Sequence, residues 1–283
     1  MNQKMMQAPV VVKLGGSAIT DKSKPSTARL EVIHNAIKEV ASYSGQLVLL
    51  HGGGSFAHPF VSEAALRNGF RQKSQLASIS EIELNLDQLT RIIGVGLLLQ
   101  HRPFVPLAPM SFMTLRSGVV GRWFLSPVTA ALGLGLIPLI HGDIVFDETR
   151  GCSIVSADRI ASLLGEKIGI PRVLFGCDVD GLYDGNPKTS SRAKLIVEVS
   201  RRNYSQVLKG LRASKGDVTG GMRGKALEAL RLAKHGCECY IFNLTESPNL
   251  RNLLKGSTSI GTRFVPWKNR SVGSRYYLIR ETS

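Results

Sequence analysis

The chain has 283 residues, of which 43% are hydrophobic and 20% charged, with a formal net charge of +15. That length and apolar content support a large buried core and exclude a disordered chain. One large α/β domain, or two lobes sharing a sheet, fits better than two unrelated domains. No apolar run reaches the roughly 18 residues of a membrane span, and MNQKMMQAPVVVKLGG lacks the apolar segment and cleavage site of a secretory signal. A cytoplasmic location with no membrane partner is expected. Cys152, Cys177, Cys237 and Cys239 are too few for a disulfide framework. The basic surplus favours anionic partners, but it is spread along the chain and reads as a solvated surface, so no nucleic-acid partner is expected.

In chain order, VVVKLGG (10 to 16) reads as a buried strand meeting a glycine turn, residues 27 to 44 have helical spacing, and QLVLLHGGG (46 to 54) is a second strand ending in glycine. Ile82, Leu86, Leu89 and Ile93 mark one face of a helix over 79 to 99. PFVPLAP (103 to 109) is a short strand, a helix follows near 126 to 134, and LIPLIHGDIVFD (136 to 147) is a strand with an acidic turn. SADRIASLLGEKIG (156 to 169) predicts a helix capped by Ser156. RVLFGCDVDGLYDGNP (172 to 187) is a strand breaking into a loop, TGGMRGKALEALRLAKHG (219 to 236) a glycine turn opening a helix, and ECYIFNL (238 to 244) a strand. Strands alternating with helices predict a parallel sheet with crossover helices. The weakest seam lies near 165 to 172.

Buried strands end in small-residue or acidic turns at Gly15-Gly16-Ser17, Gly52-Gly53-Gly54-Ser55, His141-Gly142-Asp143 and Asp178-Val179-Asp180-Gly181. In an open parallel sheet such turns line one cleft at the carboxyl ends of the strands. Glycine there lets main-chain N–H groups approach an anion, which makes phosphate the expected ligand. The common nucleotide signatures are absent: TGGMRGKA has Thr219 and Ala226 where a P-loop needs Gly and Ser or Thr, and no G-x-G-x-x-G follows a strand. No segment has the ligand spacing of a dedicated metal site.

KLGGS (13 to 17), HGGGS (51 to 55), SADRIA (156 to 161), DVDGLYDGNPK (178 to 188) and TGGMRGK (219 to 225) together resemble the amino acid kinase superfamily in order and spacing, over residues 10 to about 264. Within it, Lys13 followed by Lys22, and GGGSFAHP with its histidine, are most similar to the isopentenyl phosphate kinase family. One departure is Ala57-His58-Pro59, where that family reads Gly-His-Pro. The resemblance implies a three-layer αβα sandwich around a mainly parallel open sheet, with an acceptor-binding N-terminal lobe (1 to 168) and a nucleotide-binding C-terminal lobe (169 to 283). It also implies ATP as phosphoryl donor, Mg²⁺ riding on its phosphates, isopentenyl phosphate or a related small phosphate as acceptor, and a homodimer.

Phosphoryl transfer needs two anions held in line and their charge offset, which lysines and main-chain amides supply. By resemblance, Lys13, Lys22 and His58 are the catalytic set. Lys13, Gly15, Gly16, Ser17, Gly54, Gly220, Gly221 and Lys225 meet the ATP phosphates, and Asp178, Tyr183, Pro187 and Lys188 form the adenosine loop. Gly53, Gly54, His58, Gly142 and Asp143 face the acceptor, with Asp143 and Asp158 orienting the lysines and turn amides. His58 binds the acceptor phosphate and is no base, because the attacking oxygen carries no proton. His51 and His141 read as structural. An apolar slot for the acceptor's hydrocarbon is expected from Ile82, Leu86, Leu89 and Ile93 and from PLAPMSFM (106 to 113). The alternatives are a fosfomycin-type kinase of the same build, or a regulatory or nucleic-acid-binding protein on this fold.

Overall fold

The computed structural model describes residues 9–267 apart from 64, 186, 188, 189, 191 and 212–220. Strand β1 (Val10–Leu14) sets the frame. Alternation sends Val10, Val12 and Leu14 into one core cluster and Val11 into the other, so the strand is covered on both faces. Lys13 shares the parity of Val11.

β1 is followed by α1 (Gly16–Ile19), α2 (Leu30–Ala41), β2 (Leu47–His51), α3 (His58–Glu63) and α4 (Gln75–Leu99). Next come β3 (Phe104–Leu107), β4 (Met113–Arg116), β5 (Val119–Trp123), α5 (Ser126–Gly133), β6 (Ile137–His141), β7 (Asp143–Asp147), β8 (Gly151–Val155) and α6 (Ala157–Lys167). The remainder holds β9 (Arg172–Cys177), β10 (Leu182–Tyr183), β11 (Leu195–Ile196), β12 (Glu198–Val199), α7 (Tyr204–Gly210), α8 (Gly221–Lys234), β13 (Glu238–Asn243), α9 (Asn249–Leu254) and β14 (Thr262–Phe264).

Among the described residues, eight strands form one sheet in the order β12-β14-β13-β9-β1-β2-β6-β3. Only the β13–β14 pairing is antiparallel. Buried residues of α2, α4 and α9 pack with Val12, Leu49 and Leu174 on one face, and those of α5, α6 and α8 with Val11, Leu50 and Val173 on the other. This is the three-layer αβα sandwich that the resemblance implies, built on the mainly parallel sheet that the alternation predicts. The seam expected near 165 to 172 opens no gap in the sheet, since β9 pairs with β1 through Val11↔Val173. No described helix is long and apolar enough to cross a membrane.

Two departures from the sequence reading affect the cleft. LIPLIHGDIVFD does turn at His141-Gly142-Asp143 as expected, but a second strand follows the turn: β6 ends at His141 in the large sheet, and after Gly142 the chain enters β7 of a separate sheet ordered β5-β4-β7-β8. The stripe on α4 also divides. Ile82 and Leu86 join a small cluster with Val61, Leu66, Ile144 and Cys152, whereas Leu89 and Ile93 pack onto the main sheet. Of PLAPMSFM, Met110 reaches the small cluster, while Phe112 and Met113 lie in the core on the opposite sheet face.

Leu49 is fully buried and pairs with both Val12 and Leu139 in the middle of the sheet. Leu49→Ala is therefore expected to cost about 2–5 kcal/mol of unfolding free energy, read by urea titration followed by circular dichroism. A loss below ~1 kcal/mol would contradict the central packing assigned to β2.

Candidate active site

The four turns do meet. Gly16, Ser17, Gly52, Gly53, Gly54, Gly142, Asp143, Asp178 and Gly181 line one cleft of about 1240 Å³ at the carboxyl edge of the sheet. The first two loops touch through bare backbone: a Cβ on Gly16 would stand 2.5 Å from the amide nitrogen of Gly54. Thr20 ties them further, its Oγ1 donating to Gly16 O at 2.7 Å and accepting from the Ser55 N–H at 3.0 Å. The Ala57 departure is accommodated because its φ is −128°. Its methyl lies over Gly53, where an added Cβ would come within 2.4 Å of it.

Charge concentrates at the middle of the cleft. Lys13 at the end of β1, Asp158 in the first turn of α6 and Lys225 one turn into α8 are all buried. Asp158 Oδ1 accepts from Lys13 Nζ at 2.9 Å, and both its oxygens accept from Lys225 Nζ at 2.9 Å. The cap that Ser156 provides, accepting the Arg159 N–H at 3.1 Å, fixes the helix start that carries Asp158. Burial opposes ionisation of Asp158, but the two ammoniums outweigh it and hold its carboxyl well below the usual range. One carboxylate cannot fully serve two lysines. Burial also pulls Lys225 down, yet Asp158 more than offsets it and its pKa is raised. Lys13 is left with the deficit, and burial together with the Lys225 charge lowers it to about 8. The cluster therefore carries a surplus positive charge facing the cleft, a preformed seat for phosphate oxygens.

Around this centre, Lys22, His58 and Pro187 line the same cleft, as do Tyr183, Gly221 and Ser17. Ser17 Oγ donates to Asp178 Oδ1 at 2.8 Å, joining the first turn to the fourth, and Tyr183 Oη donates to Asp180 Oδ2 at 2.8 Å. Gly15 adjoins the cleft as the residue preceding α1, and a Cβ there would stand 2.3 Å from Gly176 O. Lys188 and Gly220 lie outside the described residues.

At the far end the wall is apolar: Val61, Ile82, Leu86, Ile144 and Ile154 line it together. Val61, Ile144 and Ile154 escaped the sequence reading because three different elements bring them together. Cys177 also lines the cleft unforeseen, its thiol pushed up by burial and bonded to Val179 O and Phe242 O. His51 and His141 are buried side by side at paired strand ends, rings 5.7 Å apart. His51 Nε2 is 2.8 Å from Thr90 Oγ1, and burial lowers its pKa to about 3, so it is neutral. At Asp143, side-chain atoms of Glu83, His141 and Asp143 lie within 4.8 Å of one another. Asp143 Oδ2 accepts the Met110 N–H at 2.9 Å.

The Lys13 balance has a pH consequence. Its folded pKa of about 8 lies below the ordinary 10.5, so the folded chain holds fewer protons than the unfolded chain between those values. The strain of burying that ammonium is thus present at neutral pH and relieved as pH rises. A phosphate ligand needs the ammonium charged. ATP affinity measured by calorimetry in the absence of acceptor is expected to fall as pH rises through about 8, with the inflection absent in Lys13→Arg, whose guanidinium stays charged. An identical inflection in both proteins would contradict the assignment.

The amino acid kinase family model matches residues 8–243. Isopentenyl phosphate kinase of Methanothermobacter thermautotrophicus is 31% identical over 266 residues, covering 90% of this chain and 98% of the relative. Isopentenyl phosphate kinase of Arabidopsis thaliana is 26% identical over 274 residues, covering 89% and 80%. A crystal structure of an isopentenyl phosphate kinase superposes with a TM-score of 0.78 at 28% identity, covering 91% of this chain and 100% of the other. The glycine turns, the lysine pair on its buried carboxylate and these matches lead to one conclusion: this chain belongs to the amino acid kinase family.

Proposed function

We propose that this chain transfers the γ-phosphoryl group of ATP to the phosphate of isopentenyl phosphate, forming isopentenyl diphosphate. The observation that carries the reading is a single cleft joining a lysine-rich phosphate seat to a wall of aliphatic side chains. An acceptor made of one phosphate and a short hydrocarbon matches both ends. The ammonium and carboxylate of an amino acid acceptor would be stranded against Val61, Ile82, Leu86, Ile144 and Ile154. The names of the relatives support the same acceptor.

In this reading ATP lies over Gly15, Gly16, Ser17 and Gly54, with Lys225 and Gly221 at its β and γ phosphates. Asp178, Tyr183, Pro187 and Lys188 hold the nucleoside, and Gly220 belongs to the same phosphate turn. The acceptor phosphate lies on Gly53, Gly142 and His58, Asp143 backs that end, and the hydrocarbon rests against Ile82 and Leu86. Lys13 and Lys22 face the group in transit and offset the charge that spreads over its oxygens. Asp158 holds Lys13 and Lys225 in place, so no reorganisation is needed at the moment of transfer. His58 donates an N–H to the acceptor phosphate and moves no proton. The glycine backbone leaves room for triphosphate oxygens, and Mg²⁺ carried on them would add further charge neutralisation.

The acceptor half then falls within residues 1–168 and the nucleotide half within 169–283. The reading extends to a cytoplasmic homodimer, for which the exposed Leu84, Val95 and Leu98 of α4 offer an apolar surface.

An ATP-consumption assay against isopentenyl phosphate, dimethylallyl phosphate, fosfomycin and no acceptor, with mass spectrometry of the product, tests the reaction. Diphosphate from the isoprenoid phosphates is expected, and turnover on fosfomycin alone would reassign the acceptor. His58→Ala is expected to lower kcat/KM for the acceptor on the order of 10- to 100-fold, the worth of one charge-assisted hydrogen bond. An unchanged acceptor KM in that variant would remove His58 from the acceptor site.

A further inference from the structure

Glu83 has no part in the chemistry described above, yet its environment is unusual for an acid. It sits on α4 between Ile82 and Leu86, two residues that line the apolar slot. Its Oε1 and the Oδ1 of Asp143 are both closed off from solvent, and no N–H or O–H of another described residue reaches either. Asp143 is only 2% exposed. Among the described residues neither carboxyl has a lysine or arginine partner. The groups that face Glu83 are Asp143 from β7 and His141 from β6, with Asp87 a turn further along α4.

Glu83 is half-buried, but two carboxylates that turn solvent-excluded oxygens into one cluster do not both stay ionised without compensation. A proton between them resolves the conflict and supplies the donor that both orphan oxygens lack. The geometry also decides which residue keeps it. Asp143 already has one oxygen committed as acceptor of the Met110 N–H, and no such bond serves Glu83 among the described residues. We propose that Glu83 is a positioning residue which, as a neutral acid, donates to Asp143 and thereby fixes the wall of the acceptor slot. Burial and the facing Asp143 carboxylate push the Glu83 carboxyl up to about 9, in keeping with that state.

Three elements meet at this one proton. Glu83 carries α4 with Ile82 and Leu86; Asp143 carries the start of β7 between Gly142 and Ile144; and the other oxygen of Asp143 holds the turn at Pro109–Ser111 through Met110. Each contributes to the slot or to the cluster behind it. Removing the donor leaves Asp143 Oδ1 buried without a partner, and the wall loses its anchor to α4. The inference rests on the acceptor slot assigned above.

The test uses Glu83→Gln and Glu83→Ala in the full chain. Glutamine keeps a donor without an ionisable proton, so Glu83→Gln is expected to retain the acceptor KM. Glu83→Ala is expected to raise it on the order of tenfold, the effect of an orphaned buried acceptor, with the ATP KM unchanged. A second readout needs no substrate. The folded wild type holds a proton that the unfolded chain releases between about pH 4.5 and 9, so its stability falls with rising pH in that window. Melting temperatures of Glu83→Gln should therefore gain on those of the wild type from about pH 5 to about pH 9. Parallel melting curves would overturn the proposal, as would an unchanged acceptor KM in Glu83→Ala. Stoichiometric binding of Zn²⁺ or Mn²⁺ to the wild type, lost in Glu83→Gln, would also overturn it and give the cluster to a cation. If the wild type turns over no isoprenoid phosphate, the acceptor assignment fails while the melting comparison still decides the state of Glu83.

Discussion

Two ammonium groups buried on one carboxylate form the interaction on which the rest of the cleft depends. Isolated, each charge would be strongly disfavoured out of water; together, Lys13, Asp158 and Lys225 are stable enough to fold but remain one negative charge short. That shortfall is the property on which the proposed function rests. In the proposed reading, a phosphate arriving in the cleft completes the neutralisation, and the lysines need not move to receive it because Asp158 already holds them. The arrangement requires a β1 residue, a helix start and a second helix to converge, which the parallel sheet achieves by placing α6 and α8 on the face toward which Lys13 points.

The glycine turns are the second half of the same constraint. Between Gly16 and Gly54 the two backbones approach so closely that a side chain on either would separate them. The phosphate seat is therefore narrow, bare and fixed, with lysines behind it and aliphatic side chains beyond. In the proposed reading, specificity follows from that gradient along one cleft, from charged to apolar, more than from any single contact.

Much of this was legible in the sequence because the decisive signals are local. The apolar run of β1 breaking at Gly15, the run of β2 breaking at Gly52 and the period of α6 behind Ser156 each follow from neighbouring residues. The resemblance supplied their joint meaning. What stayed hidden depends on distant pairing. The turn at His141-Gly142-Asp143 is legible, but nothing local reveals that Gly142 hands the chain from one sheet to another. The hairpin β4–β5 was missed because Val119, Gly121 and Arg122 are exposed and leave no clean alternation. The α4 stripe carries no mark showing that Ile82 and Leu86 face the slot while Leu89 and Ile93 face the sheet. Glu83 looks like any surface acid of a helix until β7 brings Asp143 against it.

The measurement that bears most directly on this account is single-turnover phosphoryl transfer in Asp158→Asn, with folding checked by circular dichroism. The asparagine is nearly isosteric but leaves two buried ammoniums without their shared carboxylate. The account predicts a folded protein whose transfer rate falls on the order of 100-fold or more, the scale seen when a preorganised charge-stabilising group is lost. Transfer at the wild-type rate would show that Asp158 does not organise the lysines and would contradict the central claim.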